Sequence, residues 1–120
     1  VIPSEKGVVL GLDKDKLIHA LRRMSVISSE RYNGVIVTLS KNRILLNSTN
    51  PDVGEATDEI DVDYQGEERS VGYNVTYLAD AIEVIDEEKV EFEIGSGMKP
   101  GVVRAAGNAD YFCIVMPLKL

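Results

Sequence analysis

One pattern occurs twice along this chain: an amphipathic helix is followed by several short strands. In each predicted helix, four apolar residues recur at the spacing i, i+3, i+4 and i+7, which places them on one helical face. These residues are Leu17, Ala20, Leu21 and Met24 in the first helix, and Leu78, Ala81, Ile82 and Ile85 in the second. The repeat predicts an α+β domain with approximate internal two-fold symmetry, in which both helices pack on antiparallel sheet.

The sequence also predicts where these elements lie. The first helix is expected over residues 12–27 with Asp13 or its neighbour as N-cap, and the second over residues 75–85 with Asn74 as N-cap. Short runs rich in β-branched residues and bounded by turn residues predict the strands. The strands span residues 32–40, 43–49, 55–64, 70–73, 89–94 and 111–116, and a further strand begins at Val102.

Size and composition favour one compact unit. At 120 residues, with 44% hydrophobic and 28% charged residues, the chain can enclose one core without disulfides, so we expect a single domain over residues 1–120. No apolar run approaches the roughly 18 residues of a membrane span, and the first six residues lack the features of a signal peptide. These features predict a cytoplasmic protein that does not contact a membrane.

Residues suited to catalysis are scarce. His19 is the only histidine, and it lies opposite the apolar face of the first helix, where a solvated side chain is the simpler interpretation. Cys113, the only cysteine, lies in a predicted interior strand, which favours a small buried hydrophobe over a reactive thiolate. The glycine-rich segment 95–101 precedes a strand, whereas a phosphate loop requires a helix start. We therefore expect no enzyme activity and no cofactor.

Acidic residues between positions 55 and 63, on one face of a predicted strand, and the acidic run 86–88 could bind a hard cation. A small metal-dependent hydrolase that uses the first group is one alternative function. No calcium-loop spacing is present, so a solvated face or an electrostatic docking surface is the favoured interpretation. We expect no metal.

Basic residues cluster on the polar arc of the first helix. Lys16, Arg22 and Arg23 share this arc with His19, and Lys14 lies at the helix start. The arc could face a phosphate backbone, although an ordinary polar helix face is an equal alternative. The net charge of −7 argues against a domain that grips nucleic acid by itself. Any contact with DNA is therefore expected to be weak and independent of sequence.

The sequence ends with apolar side chains and almost no polar tail. Pro117 is expected to stop the last strand ladder, so that Leu118 and Leu120 run as an extended strip beside the sheet. This strip would form either part of the core or the wall of an apolar groove. A peptide with hydrophobic anchors could dock in such a groove.

Four segments, in this order, resemble the C-terminal domain of the bacterial sliding clamp, the β subunit of DNA polymerase III. They are Tyr32-Asn33-Gly34-Val35, Asn50-Pro51, Gly72-Tyr73-Asn74-Val75-Thr76-Tyr77-Leu78 and Val115-Met116-Pro117-Leu118-Lys119-Leu120. The resemblance runs from about residue 12 to residue 120. It implies a DNA-clamp fold, in which two helices pack on two antiparallel sheets. In that family three such domains form a protomer, and two protomers close into a ring around duplex DNA.

The resemblance also implies roles for individual residues. The groove that receives short peptides from polymerase and clamp-loader subunits would contain Asn74, Tyr77, Met98, Pro100, Ile114, Val115, Met116, Pro117, Leu118, Lys119 and Leu120. The edge that meets a second protomer would contain Val26, Ile27, Asp52, Glu55 and Asp58. Gly54 stands where some members carry an acid, so the electrostatic part of ring closure is expected to be weaker here.

The leading hypothesis is thus a domain of a processivity factor that performs no chemistry. Its DNA-facing residues would be Lys14, Lys16, Arg22 and Arg23, which would meet duplex DNA without sequence preference. The main alternative is a stand-alone module of similar fold that binds a protein partner and never meets DNA. A common exposed surface for the four basic residues would favour the first hypothesis.

Overall fold

The computed structural model of the protein describes residues 8–29, 33–95, 101–105 and 108–118. In chain order its elements are β1 (Val8–Asp13), α1 (Lys14–Val26), β2 (Gly34–Ser40), β3 (Arg43–Asn50), β4 (Gly54–Asp61), β5 (Arg69–Asn74), α2 (Val75–Glu83), β6 (Lys89–Ile94), β7 (Gly101–Ala105), β8 (Asn108–Val115) and β9 (Pro117–Leu118). Both predicted helices and all predicted strands are present. β1 and β9 were not predicted as strands.

Both helices begin at the predicted N-caps. The Asp13 carboxylate accepts hydrogen bonds from the amides of Asp15 and Lys16, at 3.0 and 3.3 Å. The Asn74 side-chain oxygen accepts from the amides of Thr76 and Tyr77, at 3.0 and 3.1 Å. Each cap satisfies amides that have no partner inside the helix. Within the described residues, neither helix has the length and apolar character needed to cross a membrane.

The strands form two antiparallel sheets, ordered β1-β6-β7-β8 and β4-β3-β2-β5-β9. Each half of the chain, β1 to β4 and β5 to β8, consists of a strand, a helix and three further strands. The first strand of each half joins the sheet of the other half, because β1 pairs with β6 and β5 pairs with β2. The predicted α+β fold, with two antiparallel sheets and internal pseudo-two-fold symmetry, is confirmed.

The symmetry extends to individual hydrogen bonds. At the start of α1, the Lys14 amide donates to the carbonyl of Glu88 at 2.8 Å, and at the start of α2 the Val75 amide donates to the carbonyl of Asn33 at the same distance. Both acceptors immediately precede a strand of the opposite half, β6 or β2. Each helix start is therefore fixed to the other half of the chain.

One apolar cluster joins the helices and both sheets. The apolar residues predicted from spacing are all buried in this cluster, although Ile85 lies just beyond the end of α2. Ile18 of α1 and Val75 of α2, which the spacing did not include, are buried as well. Its largest fully buried side chains include Tyr73 from β5 and Phe92 from β6, whose ring centroids lie 5.5 Å apart across the two sheets. Burial of a leucine-sized side chain contributes about 1.5–3 kcal/mol, so this shared core holds the two halves together.

Candidate interaction sites

The C-terminal segment passes from one sheet to the other. β8 ends at Val115 in the four-stranded sheet, and β9 then pairs with β5 in the five-stranded sheet, with Pro117 opposite Tyr73 and Leu118 opposite Gly72. The β8 ladder stops before Pro117, as predicted. The extended strip does not merely run beside the sheet, since it becomes its edge strand, where a proline without an N–H group is tolerated.

This crossing creates a cavity of about 330 Å³ at the start of α2. It is lined by Asn74, Tyr77, Cys113, Ile114, Val115, Met116, Pro117 and Leu118. The structure thus brings together the predicted groove residues of α2 with those of residues 114–118. Met98, Pro100, Lys119 and Leu120 lie outside the described residues.

The chemistry of the cavity is mostly apolar. Tyr77 and Met116 are 68% and 63% exposed, so they present large apolar surfaces to solvent. None of the lining residues just named carries a charge. The described hydrogen bonds of Asn74 engage its side-chain oxygen in the helix cap, which leaves the amide nitrogen as the donor for a ligand. The cavity therefore suits a ligand with an apolar side chain and one acceptor for a hydrogen bond from the Asn74 amide nitrogen.

Cys113 was not predicted to line this cavity. It is half-buried, packs against the core and lies opposite Val103 in the β7–β8 ladder. The expectation of an interior strand is wrong, because β8 is an edge strand of the four-stranded sheet. The expectation of a small buried hydrophobe is met only in part, because the side chain is half-buried and the cavity reaches it. The sequence alone does not show that this part of the strand borders a cavity.

A second candidate site lies where α1 ends beside the turn between β3 and β4. Val26 and Val53 are 81% and 65% exposed, and Asp52 and Glu55 are exposed as well. Ile27 is half-buried as the C-cap of α1. We call these five residues the edge patch. Val53 was not among the predicted ring-closing residues, although its place in an exposed turn next to Asp52 was visible in the sequence.

Gly54 ends the turn in this patch with a φ of 144°. Residues with a β-carbon are strained in this region of backbone conformation, while space around the position is open. The turn geometry therefore gives a physical reason for glycine at this position.

Asp58, also predicted for ring closure, forms an ion pair with Arg23 of α1. Arg23 Nε lies 2.9 Å from the Asp58 Oδ2. Burial alone would raise the pKa of Asp58, but hydrogen bonds from Arg23 and the Glu59 amide outweigh it and lower the pKa below its usual value. A predicted DNA-facing residue and a predicted ring-closing residue are thus direct partners.

The other predicted DNA-facing residues differ in their surroundings. Lys14 is half-buried, and its ammonium donates to the carbonyls of Ile85 and Glu83 at the end of α2. Arg22 forms an ion pair with Glu83, while Lys16 is exposed on the same helix. Lys16, Arg22 and Arg23 are each exposed, whereas Lys14 contributes to the helix contact, so the four basic residues do not all share one exposed surface.

Among the residues that the structure describes, no group of three His, Cys, Asp or Glu side chains is arranged to hold a metal ion.

Comparison with known proteins identifies the family. The family model described as DNA polymerase III beta subunit, C-terminal domain, matches residues 1–119, further toward the N-terminus than the expected start near residue 12. The beta sliding clamp of Pseudomonas aeruginosa is 34% identical over 120 residues, and that of Pseudomonas putida is 32% identical over 120 residues. In both cases the match covers all of this chain and 33% of the relative.

Solved structures agree with the sequence comparison. A crystal structure of the DNA polymerase III subunit beta from Pseudomonas aeruginosa matches with a TM-score of 0.88 at 32% identity, and covers all of this chain and 32% of that one. The sliding clamp of Caulobacter crescentus matches with a TM-score of 0.87 at 31% identity over the same shares. The chain spans about a third of the length of the curated relatives it matches. It belongs to the DNA polymerase III beta subunit family and corresponds to the C-terminal domain.

Proposed function

We propose that this chain acts as one domain of a DNA polymerase processivity factor and offers its cavity to short peptides of polymerase and clamp-loader subunits. The observation that carries the proposal is the uncharged cavity formed where β8 and β9 pass the start of α2. The domain performs no chemistry in this proposal. A ring around duplex DNA keeps the bound polymerase near its template by raising its effective concentration.

The cavity has the size and polarity that such a peptide requires. A volume of about 330 Å³ lies at the lower end of ligand pockets, which suits one or two side chains of an extended peptide. Leucine-like or aromatic anchors would contact Met116 and Tyr77, and the Asn74 amide nitrogen would bind a peptide carbonyl. Binding energy at such sites comes mainly from a few buried anchors.

The edge patch is the surface that we propose meets a neighbouring protomer. Its exposed Val26 and Val53 supply apolar area, and Asp52 and Glu55 form an acidic rim. A partner surface with apolar residues and a basic rim would complement it.

The exposed face of α1 is the surface that we propose faces duplex DNA, with Lys16, Arg22 and Arg23 nearest to it. Two of these cations already have acidic partners in the chain, Glu83 and Asp58. Partly neutralised cations attract phosphates weakly and without sequence preference, which suits a surface that lets DNA slide. Lys14 belongs to this surface by position, although its ammonium is held by α2.

Calorimetric titration with a peptide that carries a Gln-Leu-x-Leu-Phe motif tests the groove. We expect binding that Met116→Ala weakens about tenfold, because truncation removes an apolar wall at a cost of about 1.4 kcal/mol. Val84→Ala is the matched control, since Val84 is equally exposed but lies at the other end of α2. Absence of binding, or equal losses in the two variants, would contradict the proposed groove.

A further inference from the structure

Asn50 is a buried polar residue at the end of β3, next to the edge patch. Among the described residues, only Ser48 and Asn50 are both polar and buried, at 2% and 3% exposure. A buried amide is costly unless its donors and acceptors are satisfied. The hydrogen-bond partners of Asn50 therefore indicate its structural role.

All of its described partners belong to the two segments that form the edge patch. The side-chain nitrogen donates to the carbonyl of Ile27 at 2.6 Å, and the side-chain oxygen accepts from the Asp52 amide at 3.0 Å. The backbone carbonyl accepts from the Val53 amide, also at 3.0 Å. One residue thus ties the end of α1 to the turn between β3 and β4.

These bonds act where the backbone has few other constraints. The last carbonyls of a helix have no partner within the helix, so the bond to Ile27 fixes a group that would otherwise face water or move. The turn at residues 51–53 is exposed, and the two bonds to Asn50 hold both of its amide-bearing residues. Asn50 thus binds the amide of Val53 itself and the carbonyl of Ile27, the residue that follows Val26.

We propose that Asn50 is the positioning residue of the edge patch: it sets the distance and orientation between Val26 and Val53 before a partner protomer arrives. This inference rests on the proposed ring-closing function of the patch. A surface held in its binding conformation loses less conformational entropy on association, and therefore binds more tightly. Asn50 itself stays buried behind the patch.

Ser48 provides a matched control. It lies two residues away on the same strand, is equally buried, and donates through Oγ to the carbonyl of Gly34 at 2.8 Å. This bond stays within the five-stranded sheet, and none of the described bonds of Ser48 reaches the edge patch. Loss of either side chain should lower stability, but only loss of Asn50 should disturb the patch.

The functional test uses a full-length Pseudomonas aeruginosa clamp in which this chain replaces the C-terminal third. Sedimentation velocity gives the dimer dissociation constant, and thermal unfolding gives the stability of each variant. We expect Asn50→Ala to raise the dissociation constant at least about tenfold, and Ser48→Ala to leave it within about twofold at a similar loss of thermal stability. Equal effects of the two variants on the dissociation constant would overturn the positioning role.

Failure of the inference and failure of the proposed function give different results. If the unsubstituted chimera folds and stays monomeric, the ring-closing role of the patch fails, and the role of Asn50 fails with it. If that chimera dimerises and Asn50→Ala dimerises equally well, only the role of Asn50 is overturned.

Amide hydrogen exchange on the 120-residue chain itself supplies a second readout that does not depend on a partner. Asn50→Ala should accelerate exchange at Asp52 at least about tenfold, because this amide loses the side-chain oxygen that accepts its hydrogen bond. Exchange at Val37 and Tyr73, inside the sheet, should stay unchanged. Unchanged exchange at Asp52 would overturn the inference even if the chimera did not fold.

Discussion

The two helices hold equivalent places in the two halves of the chain, yet they form different surfaces. Counted from their N-caps, Leu17 of α1 corresponds to Leu78 of α2, and both are fully buried. Ala20 and Ala81 correspond in the same way. The backbone and the buried positions are therefore duplicated, because both halves contribute to one core.

The exposed positions have diverged. Lys16 on α1 corresponds to Tyr77 on α2, which lines the cavity, and Arg22 corresponds to Glu83, with which it forms an ion pair. The cavity exists only beside α2, since it needs β9, and within the described chain no strand has this position beside α1. The repeated core thus sets the fold, whereas exposed residues and one added strand set the interaction sites.

The largest expected effect tests the equivalence of the buried positions. Leu17→Ala and Leu78→Ala should each lower the free energy of unfolding by about 3 kcal/mol, because each leaves a cavity in the same core. Urea unfolding of both variants measures this. A loss of less than about 1 kcal/mol in one variant alone would break the equivalence.

The next effect tests the divergence of the exposed positions. Tyr77→Ala should weaken binding of the Gln-Leu-x-Leu-Phe peptide about tenfold, whereas Lys16→Ala, at the equivalent position, should leave it unchanged. The free energy of unfolding should change by no more than about 0.5 kcal/mol in either variant, because both side chains are exposed. Calorimetry and urea unfolding provide the two measurements. Equal peptide affinity of both variants would contradict the assignment of the groove to α2.

The two helix caps hold equivalent positions but are formed by different side chains. Asp13→Ala and Asn74→Ala should each cost about 1 kcal/mol of stability, since each removes an acceptor for two amides. Asn74→Asp should retain this stability and still weaken peptide binding, because a carboxylate caps the helix but cannot donate to a peptide carbonyl. Thermal unfolding and calorimetry separate the two functions of Asn74. Wild-type peptide affinity in Asn74→Asp would exclude its donor role.

The smallest expected effect concerns a contact that only the first half has. The pKa of Asp58 is lowered in the folded chain, so its pairing with Arg23 stabilises the fold above the unfolded pKa of about 3.9 and is lost as pH falls through the lower folded value. The contribution should be below about 1 kcal/mol, because Arg23 is largely exposed. Arg23→Gln should remove this part of the acid dependence, as measured by urea unfolding between about pH 2 and pH 6. An unchanged pH profile would show that the pair contributes nothing.

The sequence predicted the helices and most strands because their apolar spacing follows from the core they share. β1 was missed because its inward residues, Leu10 and Leu12, alternate over only a short stretch with Gly11 between them. The distant pairings were not predictable from spacing, since nothing local in β1 specifies β6 as its partner. The groove residues came from the family resemblance, and the role of Asn50 became visible only from its contacts.

The exchange of first strands between the halves has a consequence for how the protein is made. Val8 in β1 pairs with Ile94 in β6, so this ladder cannot form until the second half of the chain has been synthesised. Such distant contacts slow folding, because a long loop must close before they form. On the ribosome, the segments that form β1 and α1 would therefore expose apolar surface until β6 has been synthesised. We expect the domain to fold late and in one cooperative step, and to need protection from aggregation until then.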